Sequence, residues 1–287
     1  MKTVAWLSAT CITLASSAAT AQVREPDNFL SATVMLSAPK LRDDGATRHV
    51  SPTLSAGFKL SEHSQLRLDW GLPYTALGTA GGGGWSHVGS SNLLVGLHLT
   101  GGAVGDSAFV RLGAAAALPL ALREGGDSGA AAEGANYAAA AAVRGLADPW
   151  LWALDTTSLV LPLSAGLDLP GFQFRADVAL GMMMPVSRAS ERTHLVGQAS
   201  VEASLGLGVL EPGVRAQAVS THLTDETWRG DDAQLSVEPF VRARLGAGFA
   251  RAGLRIDLDR PQDGGGGGGT QLTGRMWALG VGAGIGF

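Results

Sequence analysis

Three groups of residues in this sequence carry the side chains that hydrolytic enzymes use. Ser128 lies in the run Gly126-Asp127-Ser128-Gly129, where a serine between an aspartate and a glycine could act as a nucleophile. The other two groups are His87 with Ser90 and Asn92, and His222 with Asp225. A nucleophile needs a base within hydrogen-bond reach, and that base needs an orienting partner. Short spacing supplies neither, so we expect no catalytic residue and no enzymatic activity.

Metal and phosphate chemistry has equally little support. The six histidines are scattered and show no zinc-ligand spacing. An acidic stretch, Asp225 to Asp232, could attract calcium, but acidic loops commonly stay hydrated. The glycine runs 81–84 and 264–269 lack the Lys and Ser/Thr of a phosphate-binding loop. We therefore expect no metal and no cofactor.

The elements that would position any site begin after an export segment. Lys2, the apolar stretch Val4 to Ala15 and the small residues Ala19-Thr20-Ala21 have the layout of a cleaved signal peptide. We expect residues 1–21 to be removed and residues 22–287 to form a single domain. The one cysteine, Cys11, lies in the removed segment, so the domain would contain no disulfide.

Composition restricts the class of the domain. Without Lys2, 20 of the 21 basic residues remain against 25 acidic ones, which argues against nucleic acid as a partner. No stretch after residue 21 approaches 18 continuous apolar residues, as a membrane-spanning helix requires. Yet 46% of the residues are hydrophobic and 41 are glycine. Strands whose alternate side chains face lipid satisfy both observations.

Apolar and polar residues alternate along many segments, for example from Phe172 to Met183 and from Val201 to Leu207. Successive side chains of a strand point to opposite faces, so each segment predicts a strand with one apolar face. Alternation alone would also fit a soluble β-sandwich. We predict twelve strands, near residues 29–38, 48–60, 64–72, 88–100, 106–121, 154–167, 171–185, 194–207, 211–223, 234–246, 249–258 and 272–287.

The connections between these strands alternate in length. Five are tight: 61–63, 101–105, 168–170, 208–210 and 247–248. Six are long and polar or glycine-rich: 39–47, 73–87, 122–153, 187–193, 224–233 and 259–271. Short turns on one side and long loops on the other are typical of membrane barrels, with the short turns in the periplasm. The fold class predicted is all-β: a transmembrane, antiparallel, up-and-down β-barrel with short periplasmic turns and long extracellular loops.

The last strand carries a recognisable resemblance. One face holds Trp277, Leu279, Val281, Ala283, Ile285 and Phe287, and the other holds Ala278 and four glycines. A terminal aromatic after alternating hydrophobic residues resembles the assembly signal of bacterial outer-membrane β-barrels, the porin-like superfamily, without indicating a particular family. The resemblance implies a place in the outer membrane of a Gram-negative bacterium. It also implies outer-membrane lipid, lipopolysaccharide and the barrel-assembly machinery as partners; the oligomeric state stays open.

Charged residues opposite the apolar positions are expected to line the lumen. They are Lys59, Arg67, Asp69, Arg111, Arg175, Asp177, Glu202, Glu238, Arg242, Arg244, Arg251, Arg255 and Asp257. Because arginines outnumber carboxylates here, a hydrated lumen would favour anions. Alternatively, these charges neutralise each other in a packed interior.

The longest loop, 122–153, has two possible arrangements. Small lumen-facing residues such as Ala115 and Ala117 leave room for a loop folded into the barrel, and Ala130 to Val143 has good helix propensity. A surface loop is the alternative. We assign Trp150 and Trp152 to the aromatic girdle at the membrane interface.

The function expected is a passive or gated channel for small hydrophilic solutes. Two alternatives stay open. One is a barrel-embedded hydrolase of lipid or peptide, which would use Ser90 or His222. The other is a closed structural or adhesive barrel that displays its loops.

Overall fold

The computed structural model describes residues 28–37, 46–78, 84–101, 107–122, 127–144, 146–186, 193–220, 223, 233–258 and 276–287. The expected signal peptide lies outside these residues, as do His222 and the acidic stretch Asp225 to Asp232.

The described strands form one closed antiparallel barrel of twelve strands. Each strand pairs with its neighbours in sequence, and the first strand also pairs with the last, Phe29 opposite Gly286 and Leu36 opposite Leu279. The barrel strands are β1 (Phe29–Ser37), β2 (Ala46–Ser61), β3 (Ser64–Gly71), β6 (Leu93–Gly101), β7 (Ala108–Leu118), β8 (Thr156–Leu169), β9 (Phe172–Pro185), β10 (His194–Leu205), β11 (Leu210–Ser220), β12 (Ala233–Leu245), β13 (Gly248–Asp257) and β14 (Trp277–Gly286). Between β3 and β6, the strands β4 (Tyr74–Gly78) and β5 (Gly84–Val88) form a separate hairpin. The predicted barrel and its strand number are confirmed.

The hairpin β4–β5 corrects one part of the prediction. Residues 73–87 were expected to be a loop, but β4 pairs with the first residues of β2, Ala46 to Val50, and so extends the wall beyond the barrel. The fourth barrel strand accordingly begins at Leu93 and not near residue 88. Glycines around residues 81–84 suggested a flexible tip, whereas the flanking Tyr74-Thr75 has the β-propensity to form a strand.

The two faces of the wall follow the alternation in the sequence. On β14, Trp277, Leu279, Val281, Ile285 and Phe287 are exposed on the outside, whereas Ala278 and Gly280 are buried inside. The end of the barrel with tight turns, which also holds residues 28 and 287, is called the short-turn end below. The opposite end is the long-loop end.

The long connection between β7 and β8 forms two helices, α1 (Asp127–Val143) and α2 (Pro149–Trp152). The alanine-rich segment forms the helix that its propensity predicts, and Pro149 begins α2 where its missing N–H costs no bond. None of the helices in the described residues has the length and apolar character that crossing a membrane requires.

The helices fold into the lumen at the long-loop end. Trp150, Leu151 and Trp152 are each 2% exposed and pack against lumen-facing residues, which are Ala115, Ala117, Val160, Ala179, Val196 and Val219. The assignment of Trp150 and Trp152 to an interfacial girdle was therefore wrong. Small side chains on the inner wall leave space for the two indoles, and burial there removes them from water as membrane insertion would. We call α1, α2 and the chain between them the plug.

Candidate functional site: the lumen beneath the plug

One arginine of the wall holds the end of α1. The guanidinium of Arg255 on β13 donates hydrogen bonds to the carbonyls of Val143 and, at 3.0 Å, Ala142, and it also pairs with Asp257 on the same strand. Carbonyls in the last turn of a helix have no partner within the helix, and a cation there is favourable. Arg255 thus both neutralises Asp257 and anchors the plug to the wall.

Asn92, which directly precedes β6, holds α2 through its side-chain amide. Its Nδ2 donates to the carbonyls of Trp150 and Ala153, both at 2.9 Å, and of Thr156 at 3.2 Å. Its Oδ1 accepts a hydrogen bond from the backbone N–H of Ala121 at 3.0 Å. Asn92 is completely buried and its polar atoms are engaged with backbone, which gives it a structural role.

The serine and histidine near Asn92 do not assemble as a triad. The Ser90 hydroxyl accepts from the Trp70 indole at 2.9 Å and contacts the Ser91 carbonyl. No hydrogen bond joins His87 to Ser90 among the residues that the structure describes. The described part of the chain also contains no group of three His, Cys, Asp or Glu residues placed to hold a metal ion.

A third anchor joins the start of α2 to β10. Asp148 and Gln198 exchange two hydrogen bonds, from the Asp148 backbone N–H to Oε1 at 2.9 Å and from Nε2 to Asp148 Oδ1 at 3.0 Å. Arg144, at the end of α1, donates to the Thr53 hydroxyl on β2 at 3.1 Å. The plug is therefore tied to the wall at widely separated strands.

Below the plug the lumen contains a cavity of about 740 Å³. Trp150 and Leu151 border it on the plug side, and Gly246, Gly248 and Phe287 border it at the short-turn end. Seven arginines and four carboxylates line it, together with several Ser, Thr and Gln residues. Charged and hydroxyl-bearing side chains thus share the lining with apolar ones, which include Ala115, Val160 and Ala179 beside Trp150.

A network of ion pairs covers one side of the cavity. Glu202 on β10 accepts from Arg242 at 2.7 Å through one oxygen and from Arg251 at 3.0 Å through the other. Arg242 also reaches Glu211 at 3.2 Å, and Arg251 also reaches Glu238 at 3.2 Å. The guanidinium of Arg251 lies 3.8 Å from the centre of the Phe240 ring. These contacts hold the guanidinium groups in fixed positions.

The residues predicted to face the lumen fall into two groups. Those that line the cavity are Arg67, Asp69, Arg175, Asp177, Glu202, Arg242, Arg244 and Arg251. The others lie elsewhere: Glu238 is bonded to Arg251, Arg111 is buried on β7, Arg255 and Asp257 lie beside the end of α1, and Lys59 is exposed near the short-turn end of β2. Pairs two residues apart do bind each other, Arg67 with Asp69 at 2.9 Å and Arg175 with Asp177 at 2.9 Å.

Sequence reasoning missed several residues that shape the cavity. Arg215 and Gln198 share the inward-facing alternation of β11 and β10 and line the cavity, so the period of two could have identified them. Arg144 also lines it. No local pattern points to Arg144, because its position depends on how the plug folds back into the barrel.

No protein-family model matches the chain, and no curated protein sequence is similar to it. Solved structures do share its architecture. An outer membrane channel from Pseudomonas putida F1 has a TM-score of 0.61 at 9% identity, over 95% of this chain and 99% of that one. The NanC porin has a TM-score of 0.53 at 7% identity, over 90% of this chain and 100% of that one.

Identities this low show a shared fold and nothing finer. The closed barrel with its outward apolar face, together with these neighbours, gives the chain the fold class of the outer-membrane β-barrels. Within that class, the twelve-stranded barrel with an internal plug belongs to no particular family that these comparisons identify.

Proposed function

We propose that the protein is a gated channel for small hydrophilic solutes in the bacterial outer membrane. The observation that carries the proposal is the 740 Å³ cavity, which runs inside the barrel from the short-turn end to the plug. Its charged and hydroxyl-bearing lining can replace the hydrogen bonds that a polar solute makes with water. A barrel that served only as a structural support would need no such space.

The gate in this proposal is the plug. Trp150 and Trp152 are buried against the wall at the long-loop end, so passage requires the plug to move. The indole N–H groups of Trp150 and Trp152, which are buried against the wall, have no hydrogen-bond partner in the described structure. A buried N–H group without a partner costs free energy. That cost favours a second position for the plug.

A closed structural barrel is the second candidate. The ion-pair network around Glu202 and the three anchors of the plug would equally suit a barrel that never opens. In that case the long loops would carry the function. The candidates differ in one measurable property, which is the passage of ions.

The deciding experiment is single-channel recording of the purified full chain in a planar bilayer. Stable ohmic steps would support the channel. Their absence at every voltage, in protein that still shows heat-modifiable migration on gels, would refute it and favour the closed barrel. Hydrolysis of phospholipid or peptide that disappears in Ser90→Ala or His222→Ala would instead indicate an enzyme.

We also propose that residues 1–21 direct export and that the exposed aromatic Phe287 takes part in assembly. Phe287 packs little of its side chain, since 66% of its surface is exposed, and its backbone N–H bonds the Asn28 carbonyl at 3.1 Å. A terminal ring so exposed contributes little to the finished barrel. It is free to be recognised before the barrel closes.

A further inference from the structure

We propose that the wall of the lumen formed by β9 to β13 binds a small organic anion. Arginines of this wall would hold the carboxylate groups of the anion. The inference rests on the proposed channel for its role in transport, because it names the class of solute. It does not depend on conduction for its test. Three observations carry it. Charge is unevenly distributed around the cavity, the carboxylates of the wall are bonded to neighbouring arginines, and one arginine, Arg215, lies beside them in the same row.

Charge is unevenly distributed around the cavity. On β9 to β13 five arginines line it, and four carboxylates of these strands, Asp177, Glu202, Glu211 and Glu238, pair with arginines there, which leaves one positive charge in excess. The facing strands β1 and β2 contribute hydroxyl groups, those of Ser31, Thr33, Thr53 and Ser55. An anion in the cavity is therefore drawn towards one wall, and the narrow interior weakens screening by water and salt.

The carboxylates on this wall are directed at their own arginines. Both oxygens of Glu202 accept guanidinium hydrogen bonds, from Arg242 and Arg251. Glu211 is 2% exposed and accepts from Ser204 at 2.7 Å and from Arg244 at 2.8 Å. The oxygens of Glu202 and Glu211 are thus bonded to Arg242, Arg251, Arg244 and Ser204, and among the described residues none of them accepts a hydrogen bond from Arg215.

Arg215 is the arginine best placed for a ligand. Across the sheet it lies in one row with Arg175, Glu202 and Glu238. Among the described residues it donates to the Ser200 hydroxyl at 3.1 Å, while the oxygens of the adjacent Glu202 are bonded to Arg242 and Arg251. Its guanidinium lines the cavity and can receive a carboxylate side-on, in the two-bond geometry that arginine favours.

The row also sets the size of the ligand. Arg175 and Arg215 flank β10, so their backbones are two strand spacings apart, about 10 Å. Arg175 bonds Asp177 and Arg215 bonds Ser200, and Asp177 and Ser200 lie opposite each other on β9 and β10, so both guanidinium groups lean towards the same row of the wall. A short dicarboxylate can bridge them, one carboxylate on each guanidinium.

Calorimetric titration of the detergent-solubilised full chain with succinate tests the inference. We expect saturable binding that Arg215→Gln weakens about tenfold or more, the loss of one charge-assisted contact. Arg48→Gln, which removes the same charge at an exposed position on β2 outside the cavity, should leave binding unchanged. Glu202→Gln should strengthen binding, because it releases Arg242 and Arg251 for the ligand.

Opposite shifts in Arg215→Gln and Glu202→Gln exclude general damage to the barrel, which would weaken binding in both. Three results would overturn the inference: no saturable succinate binding, equal losses in the Arg215 and Arg48 variants, or inorganic phosphate bound more tightly than succinate. Succinate binding by a barrel that conducts no ions would leave this inference standing and refute the channel. Conductance without succinate binding would do the reverse.

Discussion

Replacing Arg255 should loosen the plug without damaging the barrel. In Arg255→Met the long apolar stem is kept, but the guanidinium that bonds the Val143 and Ala142 carbonyls is lost. Asp257 loses its charge partner at the same time. The Val143 and Ala142 carbonyls then lose their bonds to the wall, while the ladder pairing of β13 with β12 and β14 is unchanged, because it uses backbone groups only.

The size of the effect follows from those two bonds. A hydrogen bond from a charged donor contributes about 1.5–3 kcal/mol, so their loss weakens the seated plug by about 3 kcal/mol at the lower limit. An energy difference of 1.4 kcal/mol changes an equilibrium about tenfold. The ratio of open to closed channels should therefore rise roughly a hundredfold, since a ligand-free equilibrium responds directly to the energy gap between its states.

The assay is the open probability in single-channel records at fixed voltage and salt. Arg251→Met is the matched control, because Arg251 lies on the same strand and faces the lumen but bonds Glu202 and Glu238 and not the plug. It should change ion selectivity and leave the open probability near that of the parent chain. An Arg255→Met barrel that remains heat-modifiable, with an open probability within about threefold of the parent, would refute the anchoring role.

Three further changes separate the parts of the design. Asn92→Ala leaves the Trp150 and Ala153 carbonyls without this donor, which costs about 3 kcal/mol or more of stability. The temperature at which the barrel unfolds in the gel-shift assay should therefore fall. An unchanged unfolding temperature would contradict the structural role of Asn92. Gly181→Val places a Cβ 2.9 Å from the Trp150 ring, so it should displace the indole and raise the open probability. Gly101→Val is the control and should not raise it, because the atom nearest to its Cβ, the Val110 carbonyl oxygen, is 3.7 Å away. Equal effects of the two changes would argue against displacement of the indole. Phe287→Ala should reduce the yield of barrel in the outer membrane while leaving the thermal transition of purified protein nearly unchanged, and a normal yield would disprove the assembly signal.

The local alternation of residues was sufficient to predict the strands of the barrel wall and their two faces. A strand's side chains alternate with a period of exactly two, so a run such as Phe172 to Met183 specifies both a strand and its two faces before any partner is known. Turn length then indicates which strands are neighbours. Arg215 and Gln198 follow the same rule, and their inward direction was predictable from alternation even though they were not singled out.

Alternation ends where the β4–β5 hairpin and the plug begin. Tyr74 to Gly78 pairs with β2 only because the barrel places the start of β2 beside it, and Gly84 to Val88 pairs with Tyr74 to Gly78 in turn. The glycine-rich sequence between them had suggested an unstructured loop. A hairpin that extends one wall strand has no signature separate from that of a surface loop. Its formation depends on the strand it meets.

The sequence by itself determined a twelve-stranded barrel with an apolar outside, a charged inside and an exposed aromatic end, because each of these depends on neighbours one or two residues apart. Only the tertiary structure decided that Trp150 and Trp152 face the lumen, since lipid and a wall of small residues both remove an indole from water. The same holds for Arg255 and Val143, which are 112 residues apart. Their contact exists because the barrel closes around the plug, and no local pattern encodes a distance of that kind.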